Sequence, residues 1–219
     1  MNSSKPVHPR QRRIWDISAP VRVGTPVFPG DTEYAQEWNA TISPNCPVNV
    51  ATITLSPHVG SHADAPLHYD PNGATIGDVP LEAYIGPCRV IHAIGCGPLI
   101  QWEHIAHAVA DLPERVLVRT YRNMPVDRWD PELTAYAPQT IERLADLGVK
   151  LIGIDSASID PAPSKTLDSH QVIRRRDMRV LENLVLDEVE EGDYELIALP
   201  LKLVTADASP LRAILRACS

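Results

Sequence analysis

The sequence predicts a mixed α/β fold in which strands outnumber helices. Three observations indicate this: β-branched runs recur along the chain, helical periodicity is confined to a few segments, and 21 prolines accompany only 5% aromatic residues. The length of 219 residues and the 44% hydrophobic fraction are typical of one globular domain. Neither an internal repeat nor a linker divides the chain. We therefore expect a single domain over residues 14–219, after a disordered basic tail over residues 1–13.

Apolar runs, alternating or continuous, predict six strands. In chain order they cover residues 14–18, 48–56, 89–94, 115–120, 150–155 and 195–199. The alternating VNVATITLS of residues 48–56 is the strongest signal, and the short runs at 150–155 and 195–199 are typical of buried strands. Between the first two strands, APVRVGTPVFPGDT must be an extended loop, because its prolines fix φ.

Helical signals are fewer. Residues 100–112 have apolar side chains at helical spacing and stop before Pro113. In residues 138–147, Pro138 suits a first helical turn and Gly148 suits a C-terminal stop. Residues 169–176 and 210–217 are two further helical segments. This pattern of elements predicts a mixed α/β or α+β class.

Composition excludes several classes of function. A net charge of −8 argues against a nucleic-acid partner, because neutralising phosphates requires a basic surface. No window approaches the roughly 20 apolar residues of a membrane span, and the polar N-terminal residues carry no secretory signal. The four cysteines are dispersed and form no C-x-x-C pair, which favours reduced thiols. We expect a cytoplasmic protein.

One short stretch carries most of the chemistry. SPHVGSHADAPLHY, residues 56–69, holds His58, His62, Asp64 and His68 within eleven residues. Imidazole and carboxylate together suit Zn²⁺ or another first-row metal. The flanking prolines and glycine disfavour a helix, so we expect the end of a strand to loop around an ion. The alternative, loop histidines without a role, requires four potential ligands to coincide in one short stretch by chance.

A metal site that links folding to binding takes ligands from more than one segment. Downstream, the segment DSHQVIRRRDMRVLENL offers His170 and Glu182. Taken alone, His170 is typical of a surface helix and Glu182 is one of many acids in an acidic chain. The polar turn GIDSASID, residues 153–160, is expected to support the metal loop.

The histidine stretch resembles the signature H-x-G-[ST]-H-x-D-x-P-x-H of the metal-dependent cyclase-like hydrolases. Together with WDIS, TPVFPGDT, CPVNVATITLSPH, SASID and the late His and Glu, it resembles the bacterial kynurenine formamidases (arylformamidases) from residue 14 to the C-terminus. The resemblance implies a compact domain of the swivelling β/β/α type, with a β-barrel-like core and flanking helices. It also implies a homodimer or a larger homo-oligomer.

The resemblance further implies two divalent ions per subunit, usually Zn²⁺, with Mn²⁺ or others as alternatives. The implied ligands are His58, His62, Asp64, His170 and Glu182. The first three would hold one ion. Asp64 would bridge to a second ion held by His170, and Glu182 would touch both. His68 would remain unligated as the acid/base group.

The implied reaction is hydrolysis of N-formyl-L-kynurenine to L-kynurenine and formate, a step of tryptophan degradation. A metal-activated hydroxide attacks the formyl carbon, and the departing aniline nitrogen needs a proton. A free histidine has a pKa near 6.5, which suits His68 to take a proton from water and return it to nitrogen. Phe28 stands where the family usually has tryptophan and would form an aromatic wall for the substrate ring. The alternative is a loop residue packed within its own subunit.

Two other functions fit these residues. One is a related metal-dependent amide or lactam hydrolase acting on isatin-like rings, and Phe28 and residues 123–136 are where it would differ. The other is a non-catalytic metal-binding protein, against which the extra His68 argues. A serine hydrolase is disfavoured because no G-x-S-x-G occurs in the chain.

Overall fold

The computed structural model describes residues 13–218 and shows a mixed α/β fold built around a curled nine-stranded sheet. The strands are β1 (Ile14–Asp16), β2 (Ala35–Ala40), β3 (Val50–Thr54), β4 (His62–Asp64), β5 (Ile85–His92), β6 (Leu99–Ile100), β7 (Arg115–Arg119), β8 (Ala135–Tyr136), β9 (Leu151–Ile154), β10 (Arg179–Glu182), β11 (Gly192–Ile197), β12 (Ala208–Pro210) and β13 (Ile214–Ala217). The predicted fold class is confirmed.

The large sheet has the strand order β1-β13-β11-β5-β7-β9-β10-β4-β12. Its centre, β5-β7-β9-β10, is parallel, and the flanking pairs are antiparallel. The short strand β4 carries part of the histidine stretch and lies between β10 and β12, both from the C-terminal third of the chain. This pairing brings residues 62–64 close to residues far away in sequence.

Hydrophobic side chains cover both faces of the sheet, because successive residues of a strand point to opposite sides. Leu117 and Leu151 belong to one buried cluster, whereas their neighbours Val116 and Ile152 belong to the other. The second cluster also contains buried side chains of the helices. This explains the continuous apolar runs predicted to be buried strands.

Four helices are present among the described residues: α1 (Pro66–Tyr69), α2 (Trp102–Ile105), α3 (Pro138–Asp146) and α4 (Asp168–Arg175). Two 3₁₀ turns, Leu81–Tyr84 and Ala106–Ala108, accompany them. Helix α3 begins at a proline, as predicted, and the chain leaves it at Gly148 with a φ of +89°, a backbone conformation that favours glycine. Its Ile141 and Leu144 are buried against the sheet.

Several sequence predictions need correction. Residues 210–217 do not form a helix: Ile214–Ala217 is strand β13, which pairs with β1 and β11. A run this short has no period that distinguishes a helix from a strand. Strands β1 and β11 lie on either side of it and supply the backbone hydrogen bonds of a strand.

The predicted helix over 100–112 shortens to α2 and the following 3₁₀ turn. Conversely, the single-turn helix α1 forms where a loop was expected, with Pro66 in its first turn.

The strongest strand signal also has an unexpected position. Strand β3 pairs only with β2, in a two-stranded arm outside the large sheet. The predicted tail over residues 1–13 lies outside the described residues except for Arg13, whose guanidinium lies over the Trp15 ring, 4.5 Å from its centroid. The domain boundaries stay a prediction. Within residues 13–218, no helix has the length and apolar character needed to cross a membrane.

Candidate active site

Strand pairing builds the centre of the site. His62 and Asp64 are two residues apart on β4 and therefore point to the same face of the sheet. In the antiparallel β4–β10 register, His62 lies opposite Glu182. All three side chains are buried, and each offers a ligand atom within 4.8 Å of the other two.

Helix α4 contributes His170. Its Nε2 lies 3.2 Å from Asp64 Oδ2 and 3.7 Å from Glu182 Oε1. Asp160 positions the helix: its carboxylate accepts the backbone N–H groups of Ser169 at 2.9 Å and His170 at 3.0 Å. These are N–H groups of the first helical turn, which have no partner within a helix.

The loop between β3 and β4 contributes His58. Its Nδ1 lies 3.0 Å from Asp64 Oδ1, and its ring meets the His62 ring edge-on with centroids 5.0 Å apart. The structure therefore brings together all five residues that the sequence and the family resemblance single out as ligands. Their coordination of a metal stays a proposal.

In each of the three imidazoles, the ring nitrogen that faces away from the cluster contacts an acceptor outside the cluster. His62 Nδ1 lies 2.9 Å from the Gly60 carbonyl oxygen, and His170 Nδ1 lies 2.7 Å from Asp160 Oδ2. His58 Nε2 lies 3.0 Å from Asp207 Oδ2. The other nitrogens point at the carboxylates of the cluster. Metal-binding histidines are oriented in this way, because the second partner fixes the tautomer.

A glycine is required at residue 60 by this arrangement. Its φ is +64°, and an added Cβ would lie 2.6 Å from a Val21 methyl carbon. A side chain at this position would strain the backbone whose carbonyl oxygen holds His62.

The donor set fits a divalent cation. His62 Nε2 and Asp64 Oδ1 are fully buried, and neither makes a hydrogen bond of good geometry among residues 13–218, although the two atoms lie 3.3 Å apart. This state is unfavourable unless another group satisfies them. Burial lowers the pKa of His62, but the adjacent carboxylates of Asp64 and Glu182 outweigh it and raise the pKa to about 10. Burial also disfavours ionised Asp64, yet the surrounding histidines hold its pKa well below the usual range. Asp64 is therefore ionised and attracts positive charge.

A cavity of about 530 Å³ opens onto the cluster. Phe28, named from the sequence, lines it and packs edge-on against Trp129 with ring centroids 5.1 Å apart. Met124 and Leu133 add apolar surface. Trp129 lies within the predicted specificity segment 123–136, but its role as a second aromatic wall was not foreseen.

Comparison with known proteins agrees with this geometry. The cyclase family model matches residues 15–161. The chain is 78% identical over 209 residues to the kynurenine formamidase of Paracidovorax citrulli, covering 94% of this chain and 97% of that protein. It is 76% identical to the kynurenine formamidase of Delftia acidovorans, covering 94% and 98% respectively.

The chain belongs to the kynurenine formamidases of the cyclase family.

Solved structures of other proteins share its fold. One, described as a potential metal-dependent hydrolase with cyclase activity, has a TM-score of 0.82 at 30% identity and covers 95% of this chain and 100% of its own. Isatin hydrolase A from Labrenzia aggregata has a TM-score of 0.80 at 23% identity, covering 95% and 94%, a likeness of fold alone. The present chain, as a member of the kynurenine formamidases, is therefore an enzyme of the metal-dependent hydrolase type.

His68 lies at the rim of the cluster on helix α1. Its Nδ1 is 3.3 Å from Asp207 Oδ2, and its ring centroid is 4.3 Å from that of His58. The side chain is 31% exposed, unlike the buried histidines at positions 62 and 170. His58, Asp64 and His68 also form a group whose ligand atoms lie within 4.8 Å of one another. The geometry admits His68 as a free group or as a ligand, so its role stays a prediction.

Sequence reasoning missed Asp207. One of its carboxylate oxygens, Oδ2, contacts both His58 and His68. Asp207 precedes β12, and its backbone oxygen accepts the Ala65 N–H at 2.8 Å, so strand pairing places it beside the cluster. The only sequence signal is one acid within the apolar stretch LPLKLVTADASPL, which does not identify a site. The predicted supporting turn, in contrast, does supply Asp160 to His170.

Proposed function

We infer that this protein is a metal-dependent arylformamidase that hydrolyses N-formyl-L-kynurenine to L-kynurenine and formate. The observation that carries this conclusion is the 78% identity to a kynurenine formamidase over nearly the whole chain. The convergence of five candidate ligands beneath an aromatic-lined pocket supports it. The step belongs to tryptophan degradation.

The metal is a divalent cation, and we propose two ions per subunit, Zn²⁺ in preference to Mn²⁺ or other ions. His58, His62 and Asp64 would hold the first, His170 with Asp64 would hold the second, and Glu182 would serve as a ligand of both. When bound, such ions supply hydroxide near neutral pH and polarise a carbonyl oxygen.

The remaining residues bind the substrate and move protons. Phe28 and Trp129 hold the aryl ring, with apolar surface at the cavity wall. As water adds to the formyl carbon, His68 takes its proton. The C–N bond then breaks, and His68 returns the proton to the aniline nitrogen. Asp207 beside His68 Nδ1 leaves Nε2 for this transfer.

The test uses purified protein stripped with a chelator and reloaded with Zn²⁺ or Mn²⁺. Turnover is measured on N-formyl-L-kynurenine, formanilide and isatin, and bound metal is counted by mass spectrometry. We expect the first substrate to be preferred, chelation to abolish turnover, and about two ions to bind each chain. Preference for isatin would support the lactam hydrolase alternative. Metal binding without any turnover would support the non-catalytic one.

We also propose a homodimer, located in the cytoplasm, with neither nucleic acid nor membrane as a partner. The arm formed by β2 and β3 exposes apolar side chains, among them Trp38, 59% exposed, and Ile53, 53% exposed. Exposed apolar surface of this kind is typical of an interface. Light scattering measures the mass in solution. We expect Trp38→Glu with Ile53→Lys to produce monomers, and a monomeric wild type would contradict the proposal.

A further inference from the structure

Two cationic side chains line the pocket, Arg128 and Lys165, and no other lysine or arginine of the described chain does so. Arg128 lies in the segment between β7 and β8, and Lys165 lies in the loop before α4. Both side chains are exposed. They come from two different loops and line one cavity.

Neither cation has a side-chain partner within residues 13–218. Other arginines of this chain do: Arg174 Nε lies 2.7 Å from Asp70, and Arg175 lies 2.8 Å from Glu142. The full sequence has 28 acidic and 20 basic residues, so carboxylates are in excess. Two unpaired cations at one cavity in an acidic protein indicate a site for an anion that is not part of the protein.

The acids of the pocket contact protein donors, and none forms an ion pair with Arg128 or Lys165 within the described residues. These acids are Asp31, Asp130, Asp155, Glu182 and Asp207. Asp130, for example, accepts the Tyr121 hydroxyl at 2.7 Å and the Glu132 N–H at 3.0 Å. Asp31 accepts the Ser56 hydroxyl at 3.1 Å. The cations therefore remain available to a bound molecule.

Arg128 directly precedes Trp129, whose ring forms the aromatic wall with Phe28. The pocket thus presents metal-ligand residues, aromatic rings and cations to the same volume. N-formyl-L-kynurenine has a formamide, an aryl ring and, several bonds beyond the ring, an amino-acid carboxylate. Each of these three groups, the formamide, the aryl ring and the carboxylate, has a matching set of side chains in the pocket.

We propose that Arg128 and Lys165 bind the α-carboxylate of the substrate and select aryl formamides that carry an amino-acid group. This inference rests on the proposed function and names its specificity residues. A guanidinium binds a carboxylate through two parallel hydrogen bonds, and an ammonium adds a point charge. Isatin and formanilide lack this carboxylate and gain nothing from either cation.

The test compares N-formyl-L-kynurenine with N-formylkynuramine, which lacks only the carboxylate. Both are assayed with the metal-loaded wild type, Arg128→Gln, Lys165→Gln and the double variant. Arg122→Gln is the matched control: Arg122 is an exposed arginine of the same segment, does not line the pocket, and has no side-chain partner among the described residues. Thermal melts verify that each variant is folded.

We expect KM for N-formyl-L-kynurenine to rise about three- to tenfold in each single variant, as for loss of one typical hydrogen bond at an exposed position, with kcat nearly unchanged. The kinetics of N-formylkynuramine, and of the control variant on both substrates, should not change. An unchanged KM in the double variant, or equal increases for both substrates, would overturn the proposal.

Binding of the product separates this proposal from the proposed function. Isothermal titration calorimetry compares L-kynurenine with kynuramine. Tighter binding of L-kynurenine that depends on Arg128 and Lys165, in a protein that does not hydrolyse N-formyl-L-kynurenine, would retain the carboxylate site and refute the formamidase. Hydrolysis of both formamides with the same KM by the wild type would retain the formamidase and refute the carboxylate site.

Discussion

Replacing Asp207 with asparagine should impair the site in two measurable ways. Its Oδ2 lies 3.0 Å from His58 Nε2 and 3.3 Å from His68 Nδ1, so one oxygen orients a proposed metal ligand and the proposed acid/base group. An amide offers one acceptor oxygen and a donor nitrogen in place of two equivalent acceptors. In Asp207→Asn both rings therefore lose a charged acceptor: an amide oxygen at the Oδ2 position accepts more weakly, and an amide nitrogen there cannot accept at all.

The magnitude follows from the two contacts. A hydrogen bond with a charged partner contributes about 1.5–3 kcal/mol, and each 1.4 kcal/mol is tenfold in an equilibrium constant. Loss of the partner of His58 should weaken metal binding about 10- to 100-fold, the usual range for groups that orient metal ligands. Loss of tautomer control at His68 removes part of an acid/base contribution of about 10²–10⁴-fold, so kcat should fall by less than that full contribution.

Three measurements check this prediction. Competition with a chelating dye gives the metal affinity, steady-state kinetics at saturating metal gives kcat and KM, and ¹⁵N NMR of the imidazoles reports their tautomers. Asp187→Asn is the control, because Asp187 is also half-buried, accepts the Met124 N–H at 3.0 Å and does not itself line the pocket. If Asp207→Asn retains wild-type metal affinity, kcat and tautomers while folded, the positioning argument fails.

Three further predictions test the site and the fold. His68→Ala should keep the full metal content while kcat falls about 10²–10⁴-fold, and loss of metal, measured by mass spectrometry, would instead make His68 a ligand. Asp160→Asn, which weakens the partner of His170 Nδ1 at 2.7 Å, should reduce metal affinity about 10- to 100-fold in dye competition, and an unchanged affinity would contradict its orienting role. Gly153→Ala places a Cβ 2.4 Å from a Leu117 methyl carbon and should lower the free energy of unfolding by about 1–3 kcal/mol in urea titrations, whereas unchanged stability would show that the core relaxes freely.

Local sequence predicted what depends on neighbouring residues. Strand and helix existence followed from periodicity, as for β7, β9 and α3, because the backbone alternates or turns with a fixed period. Periodicity did not distinguish strand from helix over residues 210–217, where pairing with β1 and β11 decides the conformation. Nor did it reveal that the alternating residues 48–56 form an exposed arm outside the large sheet.

By itself, the sequence placed His58, His62, Asp64 and His68 within eleven residues, in a stretch whose glycine and prolines favour a turning chain. The family resemblance named more distant partners but provided no physical reason for their approach. Only the tertiary structure supplies that reason: β4 pairs with β10 and β12, and α4 packs beside them. Such contacts join residues more than 100 positions apart, and their stability depends on the whole buried sheet. Asp207 and the pocket cations were invisible in the sequence for the same reason.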